Sequence, residues 1–253
     1  MVDLSAITTN GKALFLAYDQ GMEHGPSDFN DESIDPQYIL EIGAKGGFNA
    51  VIFQKGIAEK YYPSTRFTRS GQVPLIVKLN GKTNLVKDKD PYAPLLCTVE
   101  EALGLGAKGV GYTIYVGSEF ESSMTREFAD VVRSAHAKGI PTIAWMYPRG
   151  RNVPNPKDPQ IIAYASRLGL ELGADIVKVQ YPGSKENLQK VVEAAGKTRV
   201  VVSGGAKESE EEFLAMGRLV VEAGAIGMAV GRNIWQHKNP LSLTKKLKEI
   251  IFS

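Results

Sequence analysis

The 253-residue chain has 43% hydrophobic and 23% charged residues and a formal net charge of +2. That composition fits a globular α/β protein of one large domain or two small ones. So small a net charge gives no electrostatic case for nucleic acid or an acidic membrane as a partner. The one cysteine, Cys97, excludes an internal disulfide and any cysteine-based metal motif. "MVDLSAITTNGK" lacks the blocks of a signal peptide and no apolar run is long enough to span a bilayer, so the expected location is cytoplasmic.

In chain order, the first predicted strand is "ALFLAYD" (Ala13–Asp19), apolar and ending in an acid. A helix over Pro36–Lys45 leads to a strand at Asn49–Gln54, and a third strand covers Pro74–Leu79. The segments Gly56–Val73 and Asn80–Leu96 show no clear period. A helix over Thr98–Leu105 precedes a strand at Gly109–Tyr115, and one over Ser122–Lys138 precedes Pro141–Tyr147. The helix Pro159–Leu172 leads to the strand Asp175–Gln180, Lys185–Ala195 to Thr198–Ser203, and Ser209–Glu222 to Ala225–Gly231. A closing helix runs over Pro240–Ile250.

An internal repeat supports this alternation. "GGFNAVIF", "LGAKGVGY", "LGADIVKV" and "AGAIGMAV" are variants of one phrase, each with a glycine (Gly47, Gly106, Gly173, Gly224) where a helix should end and an apolar strand begin. Helix, glycine and buried strand in repetition imply a parallel sheet. Eight units of roughly 30 residues match a single-domain (β/α)8 barrel, a TIM barrel, over residues 1–253. A doubly wound open sheet is the alternative, but no GxGxxG follows the first strand.

Barrels of this class carry chemistry where strands end and βα loops begin. Strand alternation places Ile176, Lys178 and Gln180 on one face and Val177 and Val179 on the other, so Lys178 points into the barrel. A buried lysine loses part of its proton affinity, and a neutral amine can attack a ketone to form an imine. On this strand alone, a lysine paired with a carboxylate or snorkelling to the rim accounts for the pattern as well as a nucleophile does. The other strand ends favour chemistry. Tyr147, stopped by Pro148, is a candidate proton donor, with Trp145 as a pocket wall and Arg149 as either an anion contact or a solvated loop residue. Asp19 could orient Lys178, bind a substrate hydroxyl or cap a turn; a lone loop histidine such as His24 is more often surface. Lys55, Lys60 and Lys78 carry no individual signal. "SGGAK" (Ser203–Lys207) and "GRNIW" (Gly231–Trp235) follow strands seven and eight, whose loops commonly bind phosphate. The N–H groups of Gly204 and Gly205, together with Gly231 and Arg232 leading into a helix, are the expected anion contacts.

"AYDQGMEHGP", "FQKGIAEKYY", "VKLNGKT", "GYTIYVGS", "YPRG", "LELGADIVK", "SGGAK" and "GRNIWQ" together resemble the archaeal-type class I fructose-1,6-bisphosphate aldolases, in order and over nearly the whole chain. The resemblance implies a lyase that needs no cofactor or metal and interconverts fructose 1,6-bisphosphate with dihydroxyacetone phosphate and glyceraldehyde 3-phosphate, in glycolysis and gluconeogenesis. By similarity Lys178 is the Schiff-base lysine and Tyr147 the proton donor. Asp19, Gln20, His24, Gln54, Trp145, Arg149, Ser203, Gly204, Gly205, Gly231 and Arg232 line the sugar-phosphate site. Gln20 stands where the family often has histidine, so a role for that imidazole does not carry over. Val179 and Gln180 depart from the lysine-rich version of some members. Family members form rings, often decamers, which implies a homo-oligomer. A heptulosonate-type synthase and a thiolase of a phosphorylated signal molecule share the same barrel, lysine and loops. A non-catalytic sugar-phosphate-binding barrel is the reading from another class.

Overall fold

Eight strands close on themselves in the order of the chain, and every neighbouring pair is parallel, β8 returning to β1. The computed structural model describes residues 2–62, 73–87 and 89–253. The strands are β1 (Ala13–Ala17), β2 (Ala50–Gln54), β3 (Leu75–Lys78), β4 (Gly109–Val116), β5 (Thr142–Pro148), β6 (Ile176–Val179), β7 (Arg199–Ser203) and β8 (Gly227–Val230). The helices are α1 (Gly21–His24), α2 (Pro36–Gly46), α3 (Lys55–Tyr61), α4 (Val99–Gly104), α5 (Glu121–Ala137), α6 (Pro159–Glu171), α7 (Lys185–Ala195), α8 (Glu210–Glu222), α9 (Arg232–Trp235) and α10 (Pro240–Ile251). A closed parallel barrel settles the choice against an open sheet.

Five of the ten helix starts among the described residues carry a side-chain cap. Thr98 and Ser209 each form a reciprocal capping box with the glutamate three residues on. Asp35, Asp158 and Ser184 accept from N–H groups of the first turns of α2, α6 and α7. The four repeat glycines all have positive φ, from 63° at Gly47 to 87° at Gly224, as a helix-ending role requires. Helices α1 and α3 carried no such signal, because neither has a side-chain cap and α3 contains Gly56 at its second position. Of the stretch without clear period, 63–72 lie outside the described residues.

Two apolar layers follow from strand alternation. The outward layer includes Leu14, Leu16, Val177, Val179, Val200 and Val202 and packs against the helices. The inward layer holds Phe15, Ile52, Ile76, Ile143, Trp145, Ile176 and Val201, with Ile7 and Ile226 closing the N-terminal end. Each fully buried residue of this kind is worth roughly 1.5–3 kcal/mol. Two lysines break the inward layer, Lys78 above Ile76 and Lys178 above Ile176, at 6% and 5% exposure.

Candidate active site

Register fixes the heights of the groups at the C-terminal mouth. Lys178 of β6 pairs with Trp145 of β5, so Tyr147 stands two residues further towards the mouth, roughly 6.6 Å along the strand. Tyr147 is therefore above the lysine, not level with it. The Trp145 indole lies deeper, over Gly111 of β4. A Cβ at Gly111 would sit 2.1 Å from Trp145 Cζ3, so only glycine leaves room for the ring there. Lys178 Nζ is 4.9 Å and Lys78 Nζ 5.2 Å from that ring's centroid. One aromatic surface thus carries both ammonium groups.

Asp19 sits just past the end of β1, buried, with Oδ2 3.4 Å from Lys78 Nζ. It does not cap the turn; Gln20 occupies that position without a side-chain bond. Burial pushes the Asp19 carboxyl up, but the charges of Lys178 and Lys78 outweigh it and hold the group below the usual carboxylate range. For Lys178 burial is the largest effect and lowers its titration to about 8, with Asp19 opposing and Lys78 adding to the fall. At pH 7 about a tenth of such a lysine is neutral, against about one in three thousand for an ordinary one. Burial, then the Asp19 charge, raise the Tyr147 phenol well above its ordinary value, so it stays protonated across the neutral range. Arg149 is stacked by two rings, 5.3 Å from Tyr115 and 5.9 Å from Tyr147, and its Nη1 donates to Glu23 Oε1 at 2.5 Å.

Around the β7 and β8 loops the outcome is mixed. The Gly204 N–H donates to Ala229 O within the barrel and is not free for an anion, contrary to the sequence expectation. Gly205 has φ 71° and, like Ala206, no internal partner for its N–H among the described residues. Helix α9 is a single turn of four residues, so its dipole offers little and Arg232 supplies the positive charge. Arg232 Nη2 donates to Gly205 O at 3.2 Å, and Nη1 lies 3.6 Å from Asp28 Oδ2. Ser203 ends β7 partly buried. Gln54 Nε2 donates to Asn80 O, and His24 Nδ1 meets Asp28 Oδ2 at 2.7 Å, so neither points freely at a ligand.

Three residues that the sequence reading passed over belong here. Lys78 obeys the same inward parity as Lys178, and counting back from Ile76 would have found it. Buried Asn233 ties the two loops, donating to Gly204 O and Ala206 O and accepting from Glu208 N. Glu23 had no signal in the sequence, because its partner Arg149 lies 126 residues away. A wide cleft of about 1030 Å³, lined in part by Leu4, His136, Asp175 and Arg199, lies at the opposite, N-terminal end of the strands. The buried charges are at the other end, where barrels of this class do their chemistry, and they outweigh size as a guide.

Residues 13–237 match the model of the DeoC/LacD family aldolases. The chain belongs to that family. It is 48% identical over 252 residues to the class 1 fructose-bisphosphate aldolase of Thermoproteus tenax, covering 98% of this chain and 93% of that one. It is 44% identical over 250 residues to the protein of the same name from Halobacterium salinarum, with the same coverage. It superposes with a TM-score of 0.93, at 47% identity over 99% of this chain and 98% of the other, on an archaeal fructose-1,6-bisphosphate aldolase whose catalytic lysine is covalently bound to the carbinolamine intermediate of the substrate. The chain shares the closed parallel barrel with these relatives, and Lys178 is buried at the end of its sixth strand.

Proposed function

We propose that this aldolase cleaves fructose 1,6-bisphosphate reversibly to dihydroxyacetone phosphate and glyceraldehyde 3-phosphate through an imine on Lys178. The observation that carries the reading is the buried amine of Lys178 at the end of a barrel strand, 4.9 Å from the Trp145 ring and two residues below Tyr147 of the neighbouring strand. Neutral Lys178 attacks the C2 carbonyl, and the carbinolamine loses water to give a protonated imine. The imine draws the electron pair of the C3–C4 bond as that bond breaks while the ionised Asp19 carboxylate takes the C4 hydroxyl proton, releasing glyceraldehyde 3-phosphate and leaving an enamine; that proton returns to the Tyr147 oxygen once the phenol has protonated C3. Tyr147, kept protonated by burial, gives its proton to C3, and water then frees the ketone. Asp19 holds Lys178 and Lys78 in place and is the carboxylate available to a substrate hydroxyl. The phosphate next to C1 sits at Arg232 and the Gly205–Ala206 turn, and Arg149 takes the other phosphate. Trp145 is the floor; Gln20, His24, Gln54, Ser203, Gly204 and Gly231 border the space.

Among the described residues no helix is long and apolar enough to cross a membrane, and Cys97 is buried and free. We place the enzyme in the cytoplasm as a homo-oligomer, in sugar breakdown and synthesis. The test is intact mass after borohydride reduction with dihydroxyacetone phosphate. Wild type should gain one reduced adduct, mapped to Lys178; no adduct, or one on another lysine, rejects the assignment.

A further inference from the structure

The segment after β1 runs across the mouth to the opposite side of the barrel. In the closed strand order β5 is the strand farthest from β1, yet Glu23 of α1 meets the β5-loop Arg149 at 2.5 Å and Tyr115 Oη of β4 at 3.3 Å. Five residues on, Asp28 faces Arg232 of the β8 loop at 3.6 Å, and its carbonyl accepts from Gln236 Nε2. Between the two acids lies Gly25, with φ 74°, a conformation glycine adopts cheaply. One short strap thus hydrogen-bonds Glu23 to Arg149 and brings Asp28, whose Oδ2 also meets His24 Nδ1 at 2.7 Å, within 3.6 Å of Arg232, the two arginines following strands three apart in the ring.

We propose that Glu23 and Asp28 are resident anions holding the two phosphate positions of the empty enzyme, so that a substrate with two phosphates, and not one, releases the strap at both ends. The inference rests on the assignment of Arg149 and Arg232 as the two phosphate contacts. The physical case is a competition for the same donors. A phosphate brings more charge and more acceptor oxygens than a carboxylate and forms the stronger charge-assisted bonds to guanidinium. The carboxylates are weak holders: the four side chains keep 20–36% of their exposure, and pairs so wetted shift an equilibrium by only about threefold to fivefold each. A singly phosphorylated ketose frees Arg232 from Asp28 but leaves Glu23 on Arg149 and the strap across the mouth. The two acids therefore act as specificity-determining residues: discrimination against the monophosphate combines a missing contact with a strap still tied.

The experiment compares kcat/KM for fructose 1,6-bisphosphate and fructose 1-phosphate, with competitive inhibition by inorganic phosphate, in wild type, Glu23→Gln, Asp28→Asn, Arg149→Ala and Arg232→Ala. Glu23→Gln should raise kcat/KM for fructose 1-phosphate about threefold to tenfold, narrowing the preference. Asp28→Asn should tighten inorganic phosphate by a similar factor. Both arginine variants should lose the bisphosphate preference or phosphate inhibition. If Glu23→Gln instead lowers kcat/KM for both sugars, Glu23 positions Arg149 for substrate and the strap is refuted. No change in either acid variant, with the arginine effects present, also refutes it. If the arginine variants keep wild-type preference and inhibition, the phosphate assignment itself is wrong. Borohydride trapping on each variant separates these outcomes from a failure to fold, and Asp28→Asn reports independently should Glu23→Gln not fold.

Discussion

Replacing Lys78 by methionine should move the acid limb of activity to higher pH. The two lysine nitrogens lie 4.9 and 5.2 Å from one indole centroid, so they are at most about 10 Å apart, where two like charges repel by roughly 1.7 kcal/mol at an effective dielectric of about 20. About 1.36 kcal/mol corresponds to one pH unit. Lys78 lowers the titration of Lys178, so removing its charge should raise it from about 8 by about one pH unit or more. The loss also leaves Asp19 with Lys178 as its remaining buried cation, which acts in the same direction. Sign follows from chemistry: the neutral amine is the nucleophile, so kcat/KM rises with pH through the free-enzyme value and then levels off. The assay is kcat/KM for bisphosphate cleavage from pH 6 to about 10, coupled to reduction of the triose products, together with the pH dependence of borohydride trapping by dihydroxyacetone phosphate. Lys78→Arg keeps the charge and should leave the limb in place. A limb that stays put or moves down in Lys78→Met would show that the second lysine does not set the first.

Lys178→Arg should fold yet form no borohydride adduct, because guanidinium stays protonated, and intact mass with circular dichroism checks both. Tyr147→Phe keeps the ring and removes the donor, so cleavage should fall about 10²- to 10⁴-fold while the lysine is still trapped by dihydroxyacetone phosphate; wild-type cleavage would make Tyr147 a wall. Gly111→Ala forces its Cβ to within 2.1 Å of Trp145 Cζ3; denaturant unfolding should show a loss of about 1–3 kcal/mol and cleavage should drop as the indole leaves the two lysines. Dialysis against EDTA should leave cleavage intact, read in the same coupled assay; loss restored by zinc would sink the imine route.

The strand count, the barrel and the inward lysine of β6 were legible because they rest on local periodicity, and a one-residue slip would have put Lys178 among the helices. The glycine at each repeat marked a helix end for the same reason. What was not legible depends on pairs distant in sequence. Asp19 is 59 residues from Lys78, and Glu23 is 126 from Arg149. Lys78 is the instructive miss: its inward parity was readable, but a lysine at a strand end carries no meaning until the acid and the aromatic face that hold it are known. The Gly204 N–H was misread because a glycine pair looks equally free in sequence, while barrel closure consumes one of the two N–H groups.

The arrangement also explains why two lysines share one floor. A single buried ammonium beside Asp19 would form a neutral pair, and such a pair would hold the proton on the nucleophile and resist its loss. A second ammonium lets Asp19 stay ionised against Lys78, while burial and repulsion together lower the titration of Lys178. The same second charge leaves the floor, where Asp19 is the one carboxylate set against Lys78 and Lys178, with a positive excess towards an incoming phosphate ester. The charge that tunes the nucleophile therefore also attracts the anionic substrate, and one substitution at Lys78 should disturb both, raising KM and shifting the pH limb together.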